Sequence, residues 1–263
     1  MNGCYEKYIK DTGITVRYAR GPSQLRGKEF HTYHEILFFL SGEAEFISEE
    51  INTRIDPGSI VIIPKESYHS FNILSNEESY HRLVFNFSDL PELSPLIKAK
   101  MRHTFVGNTN DNLSYLLEKV IRTAESDEAN ETKASIVRAV LTLILSEISE
   151  NRPSKSTRTR SISPKVIEYI NQNLCTDLSV TEIARKMNMS PSSLTHRFKR
   201  EMNISLHRYI IEKRLVLAHR SIANGESTTT VAIECGFNDY SGFYKQYKKM
   251  FGIPPSSTSV FDV

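Results

Sequence analysis

The sequence predicts a two-domain α+β chain: an N-terminal β-barrel or sandwich with appended helices, then a C-terminal all-α domain with two helix-turn-helix motifs. Three observations predict it. Short apolar strands punctuated by turns occupy the chain as far as Phe87. Helical periodicity replaces them after Pro91 and Pro95, and a stretch of the C-terminal region repeats itself. The charge divides in the same way. Residues 1–151 hold 16 Lys/Arg against 22 Asp/Glu, net −6, whereas residues 152–255 hold 17 against 8, net +9. An acidic front and a basic back imply that only the back half meets a polyanion.

The strands come first, from about residue 14 to 87. The runs EILFFL, AEFI, SIVIIP and HRLVFNF are separated by turn signals at Ser41-Gly42, Asp56-Pro57-Gly58 and Ser75-Asn76. Many short strands with turns between them predict a sandwich or barrel. With 263 residues, 39% hydrophobic and 24% charged, the chain has the composition of a folded globular protein, which excludes collagen, disorder and a disulfide scaffold. Its longest apolar stretches, such as residues 36–40 and 141–145, fall far short of the roughly 18 residues a membrane span needs. The opening MNGCYEKYIKD lacks the apolar run of a signal peptide, so a cytoplasmic protein with no membrane partner is expected. Cys4, Cys175 and Cys235 are scattered singly, as free thiols are, with Cys4 expected to be the most exposed.

Two amphipathic helices follow, at about 111–150. Leu113, Leu116, Leu117, Val120 and Ile121 mark the first; Ile136, Val140, Leu141, Ile144, Leu145 and Ile148 mark the second. They close a first domain of residues 1–150. The polar, cationic stretch at 151–162 lacks periodicity and reads as an exposed linker. Residues 163–256 form the second domain, and its helix boundaries are well signalled. Ser163-Pro164 supplies an N-cap with Pro behind it, Ser179 and Glu182 have capping-box spacing, and Ser190-Pro191 and Asp239 mark further starts. Gly225 and Gly252 are the expected stops, the second followed by Pro254 and Pro255.

The repeat decides the character of this second domain. IARKMNMSPSSLTHRFKREMNIS, residues 183–205, matches VAIECGFNDYSGFYKQYKKMFGIP, residues 231–254, with one extra residue in the second turn. Ala184 pairs with Ala232, Leu194 with Phe243, Phe198 with Tyr247, Lys199 with Lys248 and Ile204 with Ile253. Each copy then holds two short helices, with a small Ala at their crossing and apolar residues locking the second onto the first. The second helix of each copy turns polar residues outward. Ser192, Ser193, Thr195 and His196 in one copy, and Tyr240, Ser241, Tyr244 and Lys245 in the other, are suited to base edges. Arg197, Lys199, Arg200, Lys248 and Lys249 are suited to phosphates. A compact helical domain with a charged face but no nucleic-acid role is the competing reading. Two copies joined by one long helix at 205–224, in the basic half, favour double-stranded DNA.

Through LSVTEIARKMNMSPSSLTHRFKREMNISLHRYIIEKRLVLAHRSI and VAIECGFNDYSGFYKQYKKMFGIPP, residues 163–256 resemble the AraC/XylS family of bacterial transcription regulators. The resemblance implies a seven-helix domain whose two recognition helices enter successive major grooves about 34 Å apart. It places the eight base-facing residues as named above, and it implies a homodimer that contacts RNA polymerase, with activation the usual outcome. Three departures stand out. Asn203 replaces the usual Gly, Ser192 and Ser193 are small and neutral, so that base readout by the first copy is weak or water-mediated, and SSTSV replaces the usual Tyr-Arg after the last Pro.

The front half resembles the cupin (jelly-roll) sensor domain often joined to this DNA-binding domain. Glu29-x-His31-x3-Glu35-x6-Gly42 stands where the first cupin motif does, and Gly58-x5-Pro64-x4-His69-x2-Asn72 where the second does. The resemblance implies a small-molecule effector, a sugar or related metabolite, lined by His31, Glu35, His69, Phe71 and His81. If residues 29, 31 and 35 lie on one strand, their shared parity turns them to one side, with His69 joining from another strand. No metal and no cofactor are expected. Glu29, His31, Glu35 and His69 are the alternative metal set, with a second carboxylate where metal-dependent cupins have a His. Catalysis is not expected, since no Ser-His-Asp order, P-loop or HExxH occurs. The leading expectation is therefore a ligand-responsive transcription regulator of carbohydrate or small-metabolite genes. The alternatives are a DNA-binding protein whose front half only dimerises, and a metal-dependent cupin enzyme fused to DNA-binding helices.

Overall fold

Ten strands alternate short apolar runs with turns among the described residues of the computed structural model, which are 5–21, 28–49, 51–74, 80–148, 163–202 and 204–258. They are β1 (Tyr5–Asp11), β2 (Ile14–Arg20), β3 (Lys28–Glu29), β4 (His34–Ser41), β5 (Ala44–Ser48), β6 (Asn52–Ile55), β7 (Ser59–Ile63), β8 (His69–Ile73), β9 (His81–Phe87) and β10 (Phe105–Asn108). All pair antiparallel, in two sheets of order β1-β2-β9-β4-β7-β10 and β3-β8-β5-β6. The predicted barrel or sandwich is thus realised as two facing sheets with a shared core. At Asp56-Pro57-Gly58 the turn into β7 needs Gly58 at φ +88°, where a side chain would be strained. The chain divides into two units, residues 1–159 and 160–263. Expectations for Cys4, the Ser75-Asn76 turn, the 151–162 linker, Asn203 and the tail from residue 259 lie outside the described residues.

Strand parity sorts the six-stranded sheet into two apolar faces. Ile36, Phe38, Ile60, Ile62, Leu83, Phe85 and Phe87 turn outward onto α1 (Ser94–Lys100), α2 (Asp111–Glu125) and α3 (Asn130–Glu147). There Leu113, Leu117, Val120, Val137, Leu141 and Ile144 cover them. Leu37, Phe39, Val61, Ile63 and Val84 turn inward and meet Phe46, Ile55 and Phe71 of the other sheet. A sheet covered on both faces needs near-continuous apolar strands, which is why β4 and β7 read as unbroken hydrophobic runs. The helix stripes read from sequence therefore cover a sheet. Asn110 caps α2 by accepting the Leu113 N–H at 2.8 Å, while Tyr115 and Leu143 are left exposed on the outer side of the helical layer.

The second unit contains α4 (Ser163–Gln172), α5 (Val180–Lys186), α6 (Pro191–Met202), α7 (Leu206–Ala223), α8 (Thr228–Glu234) and α9 (Tyr240–Phe251), closed by a 3-10 turn at Pro255–Ser257. That is six α-helices among the described residues where the resemblance implied seven. Prolines 254 and 255 open the last segment, which completes only the 3-10 turn within those residues. Ser179 and Asp239 accept the backbone N–H of Glu182 and Gly242 as predicted caps, and Ser205 caps α7 in the same way by accepting the Arg208 N–H. The capping box at Ser179 closes only halfway, because the Glu182 carboxylate takes the Tyr169 hydroxyl at 3.2 Å instead. Gly225 and Gly252 end α7 and α9 with positive φ.

Helix α7 ties the two helix-turn-helix copies together through Arg214. Its guanidinium donates to the carbonyls of Leu174, Thr176 and Gly236, so one side chain reaches the loop before α5 and the turn after α8. In the second copy buried His219 meets the Tyr247 hydroxyl at 2.6 Å, and that hydroxyl meets Thr258 at 2.5 Å. This contact holds the chain as far as Thr258, although the family's usual C-terminal residues are replaced. Cys235 is buried in the same core, and burial pushes its thiol up to about 12; Cys175 is exposed.

Candidate functional site

The inward face of the sheet unit is apolar at its centre and polar at one end. Glu29 is paired with His69 in the β3–β8 ladder, and Glu35 with Asn86 in the β4–β9 ladder, which places them on the inner faces of opposite sheets. His31 lies in the bend between β3 and β4, held by the Glu66 N–H donating to its carbonyl at 2.7 Å. Glu29, His31 and Glu35 therefore do not share one strand, as their spacing suggested. The chain passes from one sheet to the other at the bend, and the three converge across the gap. His31 Nε2 lies 3.4 Å from Glu35 Oε2, His69 Nε2 lies 4.0 Å from Glu35 Oε1, and His69 Nε2 lies 3.9 Å from Glu29 Oε2.

Both rings are oriented by backbone carbonyls. His31 Nδ1 is 2.8 Å from Tyr33 O, and His69 Nδ1 is 3.2 Å from Ser67 O. The Tyr33 ring stacks on His31 at 3.9 Å and 5°. Phe71, predicted as a lining residue, stands 5.9 Å from the His69 ring. Burial pushes the Glu35 carboxyl up, but His31 and His69 beside it outweigh this and hold it below the ordinary carboxylate range. Burial and the neighbouring Glu35 push Glu29 up. Burial likewise raises Tyr33 and Tyr80 to about 12, so both phenols stay protonated.

His81 is not brought to this site. It pairs with Arg20 and Ser41 in the row that continues through Leu83, Phe85 and Phe87, which is the helix-covered face. Three residues that the sequence reading missed take its place. Arg17, Arg82 and Asn86 share parity with Val84 and face inward from β2 and β9. Arg82 is 1% exposed, donates to Gly21 O at 3.1 Å and spreads over the Tyr80 ring at 4.6 Å. Arg17 Nε, Arg82 Nη2 and Asn86 Oδ1 are buried without a hydrogen-bond partner among the described residues; Arg82 Nη2 lies 3.8 Å from Glu6 Oε1. Leaving such groups unmade costs about 1–3 kcal/mol each. A signal existed in the sequence: ITVRYAR and HRLVFNF each carry an arginine inside an apolar strand. A groove of about 820 Å³ between residues 10–12 and 130–138 is a separate surface feature, and Arg138 there is already paired with Asp11 and Glu92.

In the second unit the two copies superimpose feature by feature. Met189 N–H donates to Ala184 O at 2.9 Å and Phe237 N–H donates to Ala232 O at 3.0 Å, at equivalent positions of the turn. Asn188 at φ +53° and Gly236 at φ +81° make the same left-handed step. Ser190 and Asp239 then cap α6 and α9. Ser192, Ser193 and His196 on α6, and Tyr240, Ser241 and Lys245 on α9, are exposed; Thr195 and Tyr244 are half-buried. Several of these polar groups are partly spent inside the fold. Thr195 donates to Pro191 O at 2.7 Å, Ser193 accepts from Ser190 Oγ at 2.9 Å, and Tyr240 shares a 3.2 Å hydrogen bond with Thr228. Lys199, Arg200, Lys248 and Lys249 are exposed, whereas Arg197 is paired with Glu201 at 2.8 Å.

Residues 11–142 match the family model described as the AraC-like ligand-binding domain, and residues 183–259 match a helix-turn-helix domain. The chain belongs to the AraC family of transcription regulators. This AraC-type chain is 27% identical, over 88% of its length and 91% of the relative's, to the probable transcriptional regulator LumQ of Photobacterium leiognathi. It is 22% identical, over 86% of its length and 84% of the relative's, to the HTH-type transcriptional activator RhaR of Mannheimia succiniciproducens. Among solved structures, the apo form of a lysine-to-alanine variant of ToxT from Vibrio cholerae strain SCE256 is 15% identical over 94% of this chain and 97% of that one, with a TM-score of 0.43. The AraC-type assignment makes the sheet unit a ligand-binding domain and the helical unit a DNA-binding domain. No helix among the described residues is long and apolar enough to cross a membrane.

Proposed function

We propose that this regulator binds a polar, hydroxylated small molecule between its two sheets, using His31, Glu35, His69, Arg17, Arg82 and Asn86, and that occupancy changes how α6 and α9 engage double-stranded DNA. The observation that carries this reading is the convergence of buried polar side chains inside an otherwise apolar core, among them Arg17, Arg82 and Asn86, each with a side-chain atom that has no hydrogen-bond partner among the described residues. A sugar or sugar acid matches them, since its hydroxyls and carboxylate offer both donors and acceptors to guanidinium, amide and imidazole. Ser192, Ser193, Thr195, His196, Tyr240, Ser241, Tyr244 and Lys245 face bases. Lys199, Arg200, Lys248 and Lys249 hold phosphates, and Arg197 joins them only by releasing Glu201.

The exposed Tyr115 and Leu143 on α2 and α3 support a homodimer through this helical layer, which presents up to four recognition helices to a promoter. The regulator acts in the cytoplasm as an activator that contacts RNA polymerase and catalyses no reaction. Effector binding shifts the population between sensor arrangements only by its differential affinity for them.

A thermal-shift screen against sugars, sugar acids and related metabolites tests the reading. A ligand of the native sheet unit raises the melting temperature. Arg82→Met abolishes that shift while the protein still binds its DNA. Silence across a broad library, with DNA binding intact, favours a front half that only dimerises.

A further inference from the structure

The polar end of the sheet core contains a donor set whose chemistry goes beyond hydrogen bonding to an organic effector. His31, Glu35 and His69 are all buried, and one ligand atom from each lies within 4.8 Å of the others. The backbone fixes how the imidazoles present themselves. With Nδ1 held by Tyr33 O in His31 and by Ser67 O in His69, each ring turns its Nε2 inward, towards the carboxylates. A backbone carbonyl on the far nitrogen is how proteins orient and strengthen a metal-binding His. The Tyr33 ring, stacked on His31, removes the remaining freedom of that plane.

The carboxylates are placed to match. Glu35 is buried, and Glu29, partly exposed, faces the same gap 3.9 Å from His69 Nε2. Bonds of about 2.0–2.2 Å to nitrogen and oxygen separate adjacent donors by about 3.0–3.6 Å. The observed 3.4 Å between His31 and Glu35 already matches, and the 3.9–4.0 Å separations around His69 need only small rotamer changes. Two imidazoles and one or two carboxylates suit a borderline first-row divalent cation and leave positions open for water or an oxygen-bearing ligand.

We propose that His31, Glu35 and His69, with Glu29 as a further oxygen donor, form a binding site for one divalent transition-metal ion in the interior of the ligand-binding domain. The site stands whether or not an organic effector exists. Where both are present, Arg17, Arg82 and Asn86 hold the effector beside the ion.

The test uses the untagged full-length protein, stripped with chelator and titrated with Co²⁺ and Zn²⁺. The expected result is one equivalent bound with micromolar or tighter affinity. Co²⁺ then gives a ligand-field absorption band, and hyperfine-shifted ring protons from two of the eight histidines. His31→Ala and His69→Ala weaken binding on the order of 100-fold or more. Glu35→Gln, which keeps the side-chain shape, weakens it as well while DNA binding shows that the fold persists. The proposal is overturned if folded wild-type protein binds neither ion at micromolar concentration. It is equally overturned if the stoichiometry and the shifted histidine signals survive in folded Glu35→Gln and His69→Ala variants, since the ion would then sit elsewhere. The thermal-shift screen reads effector binding separately, so failure of one reading is distinguishable from failure of the other.

Discussion

Helix α6 starts from Ser190 and turns Ser192, Ser193 and His196 to solvent, while α9 starts from Asp239 and turns out Tyr240, Ser241 and Lys245. Behind these tips the two copies share the Ala184/Ala232 crossing, the left-handed step at Asn188 or Gly236, and an aromatic lock at Phe198 or Tyr247. The scaffold is held constant and the chemistry of the outer face varies. The first copy presents two serine hydroxyls, one of them bonded to its own cap, and an imidazole, whereas the second presents a phenol and an ammonium. Duplication fixes where a recognition helix stands, and substitution at its tip sets how strongly it reads.

The largest expected effects break the constant part. Phe198→Ala and Phe243→Ala each remove a fully buried ring and should each cost about 3–5 kcal/mol, measured by urea unfolding of the full chain. Equal losses, with DNA binding abolished in both, mean that the copies are equally consolidated. A loss below about 1 kcal/mol in one copy would show that its scaffold is loose and that the correspondence is only one of sequence.

The next effect addresses the variable part. Lys245→Ala should cost about 1–3 kcal/mol of DNA affinity and change preference at one base position, while His196→Ala should cost under about 1 kcal/mol. Binding isotherms across a sequence library at two salt concentrations separate the cases. A loss for Lys245→Ala that is uniform across sequences, with a shallower salt slope, makes it a phosphate contact and removes the asymmetry.

The same contrast explains what was legible in the sequence. The helix-turn-helix copies could be read because their signals are local: Ser190 before Pro191, Asp239 three residues before Gly242, and a repeat that fixes every register. The sheet core could be read only as far as its strands. In HRLVFNF one parity, Leu83, Phe85 and Phe87, is apolar and meets helices, while the other, Arg82, Val84 and Asn86, meets the other sheet. Alternation alone does not say that the more polar set faces inward, so Arg82 is not legible from it, and His81 enters only through the family resemblance. The His31, Glu35 and His69 cluster was anticipated as a group. Residues 29, 31 and 35 do not share a strand, since the chain changes sheets at the bend between Glu29 and His34, and His69 joins from another strand as expected.

Capping gives a smaller test of equivalence. Ser190→Ala and Asp239→Ala should each destabilise by about 1 kcal/mol, with Asp239 the larger. The Gly242 N–H donates to Asp239 at 2.6 Å, against 3.2 Å from the Ser193 N–H to Ser190, and an ionised acceptor at a helix N-terminus is the stronger cap. Thermal melts of the two variants decide it, and a reversed order would show that a charged cap gives the second copy no advantage.

The smallest effect asks whether charge stabilises the sheet unit as it does the second cap. His34 and Lys65 both contact Asp89, at 2.9 and 2.6 Å, and hold its carboxyl well below the usual carboxylate range. Because the folded value lies below the unfolded one, the stabilisation is fully present above about pH 5. It is lost progressively as the pH falls below the unfolded value of about 4 towards the folded one. Asp89 is nearly half exposed, so solvent screening limits the contribution to about 0.5–1 kcal/mol. Asp89→Asn should therefore lower the melting temperature slightly at pH 7, and the difference from wild type should shrink steadily below pH 4. A difference that stayed constant across that range would assign the loss to the His34 and Lys65 hydrogen bonds rather than to charge. Asp239 would then be the site where a carboxylate's charge, and not only its geometry, stabilises the fold.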